Sequence, residues 1–363
     1  MNAPRELHAT GQRLWLDNIT KDLIDSGTLA RYVAEFHVTG VTSNPTILQK
    51  AVSSGNDYDD AIGSALADGT ESVEALIFAI ALEDLVAAAD LLRPVFDASG
   101  GTDGYVSVEV SPDLADDADG TVAAGQELFF LADRPNVMIK VPGTAAGLEA
   151  VEELVAVGIP VNVTLLFSTQ HYEAAAEAYL RGIERRLAGG LPLPVGSVAS
   201  VFVSRWDAAA DPHLPEELVS RTALAVMQRV FASYQEMLAS DRWTRLAEAG
   251  ALPQKVLWAS TGTKNPALPD TFYVGRLAAP GTVDTIPEAT LSAFADHGVV
   301  GDLLGTDTTD ADEVLGDVER AGIDVAALGA RLQIDGAAAF RESWAALVAC
   351  VQRRVDELQP VAP

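Results

Sequence analysis

The sequence predicts an α/β fold, a single (β/α)8 barrel with extra C-terminal helices. Three observations lead there. Short apolar, β-branched runs alternate with longer helical runs along most of the chain, the pattern of a parallel sheet covered by helices. Roughly eight such units can be counted, which favours closure into a barrel over an open doubly wound sheet. The 363 residues suit a barrel, and 48% of them are hydrophobic, enough for a large core. Residues 1–363 read as one barrel domain, with about 300–363 forming additional helices packed on it.

The first strand is expected at Leu14–Asp17, followed by a helix from Lys21 to Phe36 whose Leu23, Ile24, Tyr32, Val33 and Phe36 recur at helical spacing. A second strand spans Val38–Val41, and Asn44-Pro45 opens another helix. A long helical region covers Ser72 to Phe96. Strands follow at Tyr105–Val110, Val137–Val141, Val161–Phe167, Val198–Val203 and Lys255–Ala259. The eighth is weakest: Val283–Ile286 competes with Phe272–Val274. Helices are expected at 144–156, 168–187 and 214–239. Gly189 to Pro194 reads as a loop, residues 300–325 as an acidic loop and helix, and Ala326 to Leu358 as terminal helices outside the barrel.

Composition narrows the function. A formal net charge of −28 repels nucleic acid and anionic membranes, so neither is an expected partner. A phosphorylated ligand would then need local donors and cations. The single cysteine, Cys350, excludes an internal disulfide and a thiolate zinc cluster. The five histidines show no metal spacing with carboxylates, and no metal site is expected. The N-terminus lacks a signal pattern. The longest apolar run near residue 80, Ala75 to Leu82, falls well short of the ~18 residues needed to span a bilayer. A cytoplasmic location is the default expectation. No dinucleotide fingerprint, phosphate-binding P-loop or internal repeat is present.

In a barrel the reacting groups sit at the C-terminal ends of strands. Lys140 lies in Asn-Val-Met-Ile-Lys-Val-Pro, inside an apolar strand, and is one of only five lysines. Burial disfavours an ammonium, and the neutral amine is the form that attacks a carbonyl to give a Schiff base. A lysine snorkelling out of the strand end is the plainer alternative. Glu109, between valines, is either a paired structural charge or a general acid/base for forming the imine. Asp17, after Leu-Trp-Leu, is either a helix cap or the base that takes a hydroxyl proton during carbon–carbon cleavage. Asn44 precedes Pro45 and could simply start a helix. Asn162 and Thr164 alternate with apolar residues and so face the interior, where they could hydrogen-bond sugar hydroxyls. Ser200 and Arg205 at the sixth strand, and Ser260-Thr-Gly-Thr-Lys264 after the seventh, offer donors and charge to a phosphate.

Taken in order, these motifs resemble the transaldolase family in its longer bacterial form. The resemblance runs from Leu14 to about Leu291. It rests on Leu-Trp-Leu-Asp17-Asn, Gly-Val-Thr-Ser-Asn44-Pro-Thr, Val-Glu109-Val-Ser, Met-Ile-Lys140-Val-Pro, Asn162-Val-Thr164-Leu-Leu-Phe-Ser, Ala259-Ser260-Thr-Gly-Thr-Lys264-Asn-Pro and Thr285-Ile-Pro. It implies that Lys140 forms the Schiff base and that Glu109 works through a water. It further implies that Asp17 handles the hydroxyl proton, and that Asn44, Asn162 and Thr164 bind the ketol unit and place that water. Ser200 and Arg205 would bind the phosphosugar. Many relatives carry a serine and, two residues later, an arginine after the seventh strand. Gly262 stands in that second place here, and Lys264 is the expected substitute. The implied reaction passes a dihydroxyacetone unit from sedoheptulose 7-phosphate or fructose 6-phosphate to glyceraldehyde 3-phosphate or erythrose 4-phosphate. The imine is the electron sink, so no cofactor is expected. The rivals are a lyase of the fructose-6-phosphate aldolase type and a non-catalytic sugar-phosphate-binding barrel. Oligomeric state, monomer or homodimer, is not legible.

Overall fold

The computed structural model describes residues 2–70 and 72–358. Eight parallel strands close into a barrel in chain order, the first pairing with the last. They are β1 (Arg13–Leu16), β2 (Val38–Thr42), β3 (Val106–Glu109), β4 (Val137–Pro142), β5 (Val161–Leu166), β6 (Ser197–Phe202), β7 (Gln254–Ala259) and β8 (Val283–Ile286). Nearly every strand residue is buried. That explains why the strands read as continuous apolar runs rather than alternating ones.

The (β/α)8 fold class is as the sequence predicts, and several details differ. The helix expected over Lys21–Phe36 is two helices, Lys21–Asp25 and Thr28–Phe36, interrupted at Ser26-Gly27. Phe272–Val274, the competitor for the eighth strand, begins a short helix, Phe272–Arg276, while Val283–Ile286 is β8. A short apolar run cannot separate the two by periodicity. The segment 214–239 holds a 3-10 turn at Glu216–Leu218 and a helix at Thr222–Ala239. No helix among the described residues is long and apolar enough to cross a membrane.

The terminal stretch is one helix of 34 residues, Val325–Leu358, and its middle lies over the strand ends rather than outside the barrel. Gln333 Nε2 donates to the carbonyls of Gly143, just beyond β4, and Leu165, in β5, both at 3.0 Å. Thr46 donates to Ser343 at 3.2 Å. The helix's far end packs Trp344, Leu347, Cys350, Val351 and Val355 against Val52, Tyr58, Ile62, Leu76, Ile77 and Ile80. This second apolar cluster is separate from the main core. Arg354 closes it with two hydrogen bonds to Asp59, at 2.6 and 2.7 Å.

Inside the barrel, every second strand residue points to the lumen. Near the N-terminal end the Trp15 ring fills the lumen and donates to Asp103 at 3.1 Å. Gly40 leaves it room: a Cβ there would lie 2.5 Å from the indole. Toward the other end the lumen residues become polar.

Candidate active site

The register brings the polar strand-end residues to one level. Glu109 pairs with Lys140 across β3 and β4, and Lys140 with Asn162 across β4 and β5. Two residues up a strand is one step toward the mouth, where Thr164 and Phe202 stand. Together with the terminal helix they enclose a cleft of about 280 Å³. Asp17, Asn44, Lys140, Thr164, Ser200, Arg205, Ser260 and Lys264 all line it.

Lys140 is buried, its side chain 9% exposed. Its Nζ lies 2.5 Å from Glu109 Oε1 and donates to the Ser43 carbonyl at 3.3 Å. A lysine snorkelling to solvent is therefore not what the structure shows. Burial pushes the Glu109 carboxyl above its ordinary pKa, against the pull of the Lys140 charge. The same holds for Asp17: burial raises it, while Lys140, Thr42 and Asn44 pull it back. Thr42 donates to Asp17 at 3.2 Å and shares a 2.9 Å hydroxyl contact with Thr285. A buried amine facing two carboxyls whose pKa values burial raises suits proton exchange.

Asn44 caps the helix Pro45–Ser54, accepting from the Thr46 amide at 3.0 Å through its side-chain oxygen. The cap and the cleft-lining role coexist, because the side-chain amide remains free to face Asp17. Asn162 sits below the cleft floor, fully buried. Its Nδ2 donates to Ser107 at 3.1 Å and its oxygen accepts from Ser200 at 2.7 Å, a brace across β3, β5 and β6. Thr164 Oγ1 and Glu109 Oε2 are buried without a hydrogen-bond partner, and Glu109 Oε1 meets the Lys140 amine alone. Buried polar atoms of this kind call for a ligand or water.

The cations stand at the other side of the cleft. The Arg205 guanidinium stacks on Phe202, 4.8 Å from the ring centre, and burial lowers its pKa. Lys264 is exposed at the rim. Neither takes part in any ion pair among the described residues. Most other arginines, by contrast, are paired with carboxylates, as in Arg185–Glu153 and Arg242–Glu184. Ser260 adopts φ 58° and shares a 3.0 Å hydroxyl contact with Ser204. Such a left-handed residue holds the loop after β7 in a fixed bend. A guanidinium left without a counter-ion in a chain of charge −28 marks a place for an external anion.

Sequence reasoning missed Thr42 and Thr285, whose hydroxyls steady Asp17. A period-two reading of Gly40-Val-Thr42 would have found the first. It also missed Phe202, Phe340 and Ser343, which line the cleft. The last two come from the terminal helix, and no local signal places that helix over the mouth.

Comparison with known proteins agrees with this geometry. The sequence model of the family described as Transaldolase/Fructose-6-phosphate aldolase matches residues 14–351. A Transaldolase of Parafrankia sp. (strain EAN1pec) is 44% identical over 359 residues, covering 96% of this chain and 97% of that one. A Transaldolase of Thermobifida fusca is 45% identical, covering 96% and 97%. A Transaldolase 1 of Streptomyces avermitilis is 45% identical, covering 94% and 92%.

Proposed function

The chain belongs to the transaldolase/fructose-6-phosphate aldolase family, and from that premise we propose that it moves a dihydroxyacetone unit between phosphosugars through an imine on Lys140. One observation supports this above others: the Lys140 amine lies 2.5 Å from Glu109 in the same cleft as Asp17 and the unpaired Arg205.

The steps follow from the positions. A proton passing from Nζ to Glu109 frees the lone pair, and Lys140 attacks the ketone of fructose 6-phosphate or sedoheptulose 7-phosphate. Glu109, through a water between itself and Thr164, assists loss of hydroxide from the carbinolamine as water. Asp17 takes the proton of the hydroxyl next to the scissile bond. The carbon–carbon bond breaks, its electrons flow to the imine nitrogen, and an aldose phosphate leaves. The enamine stays on Lys140 until glyceraldehyde 3-phosphate or erythrose 4-phosphate accepts it, and the steps run backwards. Arg205 and Lys264 hold the phosphate. Asn44 and Ser200 bind sugar hydroxyls, with Asn162 setting Ser200, and Ser260 adds a donor at the phosphate end. A cytoplasmic location belongs to the same proposal, since phosphosugars are intracellular metabolites.

Borohydride trapping with fructose 6-phosphate tests it. Mass spectrometry should find a reduced three-carbon adduct on Lys140 in the wild type and none in Lys140→Ala. Absence of any wild-type adduct sinks the enzyme reading and leaves a sugar-phosphate-binding barrel. Release of dihydroxyacetone with no transfer to an added acceptor points to the lyase instead.

A further inference from the structure

The terminal helix does more at the site than close it from above. Phe340 of that helix stands with its ring centre 5.6 Å from Lys140 Nζ. The ring lines the substrate cleft and also a second, smaller crevice shared by Glu109, Lys140, Thr164 and Ala337. That crevice offers about 20 Å³, and roughly 10–15 Å³ suffices for one water. It adjoins two buried, unpartnered oxygens, Glu109 Oε2 and Thr164 Oγ1, beside the Glu109 Oε1 that faces the Lys140 amine. Its polar side therefore fits a single water, and Phe340 forms part of its apolar side with Val110, Pro142, Leu165 and Ala337.

The ring is held in place from both directions along the helix. Gln333 is tied to Gly143 and Leu165. Gly336 lets the helix approach so closely that a Cβ there would lie 3.1 Å from Leu165 and 3.2 Å from Arg205. Beyond the ring, Ser343 is bonded to Thr46. These contacts fix the helix backbone on both sides of Phe340 over the strand ends.

We propose that Phe340 is a specificity-determining residue that sets how the Lys140-bound three-carbon unit divides between an aldose acceptor and water. This rests on the Schiff-base reading above. In transfer, the enamine carbon forms a bond to the acceptor's aldehyde carbon. In release, the enamine carbon takes a proton to give an iminium ion. Water oxygen then bonds to the iminium carbon, and its proton goes to Glu109. The nitrogen takes a proton and the carbon–nitrogen bond breaks with nitrogen keeping the electron pair; the hydroxyl gives up its proton as the carbonyl forms, and dihydroxyacetone departs. One water suffices to finish a turnover, but early protonation of the enamine needs further solvent. An aromatic ring against the amine admits the first and excludes the rest.

The test compares dihydroxyacetone released with ketose formed, from fructose 6-phosphate and an excess of acceptor, in wild type, Phe340→Ala and Phe340→Leu. Both rates are divided by trapped Lys140 adduct, so a reduced folded fraction cancels. The ratio of release to transfer should rise about tenfold or more in Phe340→Ala and less in Phe340→Leu. Adduct on Lys140 in both variants with an unchanged ratio overturns the role of Phe340 while leaving the Schiff-base reading intact. Lack of wild-type adduct overturns the Schiff-base reading itself.

Discussion

Replacing Glu109 with glutamine keeps the shape of the side chain and removes its charge and its proton. The structure sets the size of the effect. At the observed 2.5 Å separation, an effective dielectric constant of about 20 gives a gross attraction of roughly 7 kcal/mol. Desolvation of both groups offsets most of this. Removing one partner of such a buried pair typically costs about 3–5 kcal/mol, because the other charge is left unpaired. Asp17 also pulls on the ammonium, so the lower end of that range is expected, read as a shift in the urea midpoint at unchanged slope. The kinetic loss is separate. Without a group to exchange protons, imine formation should slow by about 10²–10⁴-fold. Rapid-quench borohydride trapping measures that step directly, and hydrolysis of the adduct should slow in parallel. Glu109→Gln that forms adduct within about threefold of the wild-type rate, at equal folded fraction, refutes the proton-transfer role.

Other outcomes follow from neighbouring features. Asp17→Asn should still form the imine but fail to cleave it, so trapping should catch a six-carbon phosphate adduct on Lys140 rather than a three-carbon one. In the wild type, activity should fall as pH drops through the raised Asp17 pKa, placing the acid limb of kcat/KM above the ordinary carboxylate value of about 4. Arg205→Ala should raise KM for phosphosugars by at least tenfold while leaving unphosphorylated analogues nearly untouched. Lys264→Ala should do the same more weakly, and an unchanged KM removes Lys264 as a phosphate ligand. Asp284 is buried beside Thr261, with one oxygen unpaired and its pKa pushed up to about 7. The folded state therefore holds a proton that the unfolded state loses near pH 4. Its contribution is greatest at low pH and disappears as pH rises toward 7. Asp284→Asn should gain stability over wild type by about 2–3 kcal/mol between pH 5 and pH 8, and a pH-independent difference counts against this. Gly40→Ala should destabilise by about 1–3 kcal/mol through collision with Trp15, measured by chemical denaturation.

The polar residues gathered at the strand ends were legible in the sequence because a barrel core rejects polar side chains. Lys140, Glu109 and Asp17 each interrupt an apolar strand, and the alternation around Asn162 and Thr164 gives their direction. Direction is not environment, however. Asn162 reads as a sugar ligand, yet its amide is engaged by Ser107 and Ser200, partners 55 and 38 residues away. The helix break at Ser26-Gly27 was hidden by apolar spacing that runs through it. Most obscure was the terminal helix: periodicity identifies a helix and an apolar face, but which surface that face meets depends on the closed barrel. The place of Phe340 beside an amine 200 positions earlier in the chain is a product of tertiary structure alone.

That helix also fixes an order of events in synthesis. Residues 325–358 leave the ribosome after all eight strands, yet they supply one wall of the cleft and half of the second apolar cluster. All eight strands are thus made before Leu332, which the main core buries, and before the ring of Phe340 that stands over Lys140. The wall that sets Phe340 beside Lys140 is complete only after every strand of the barrel has been made.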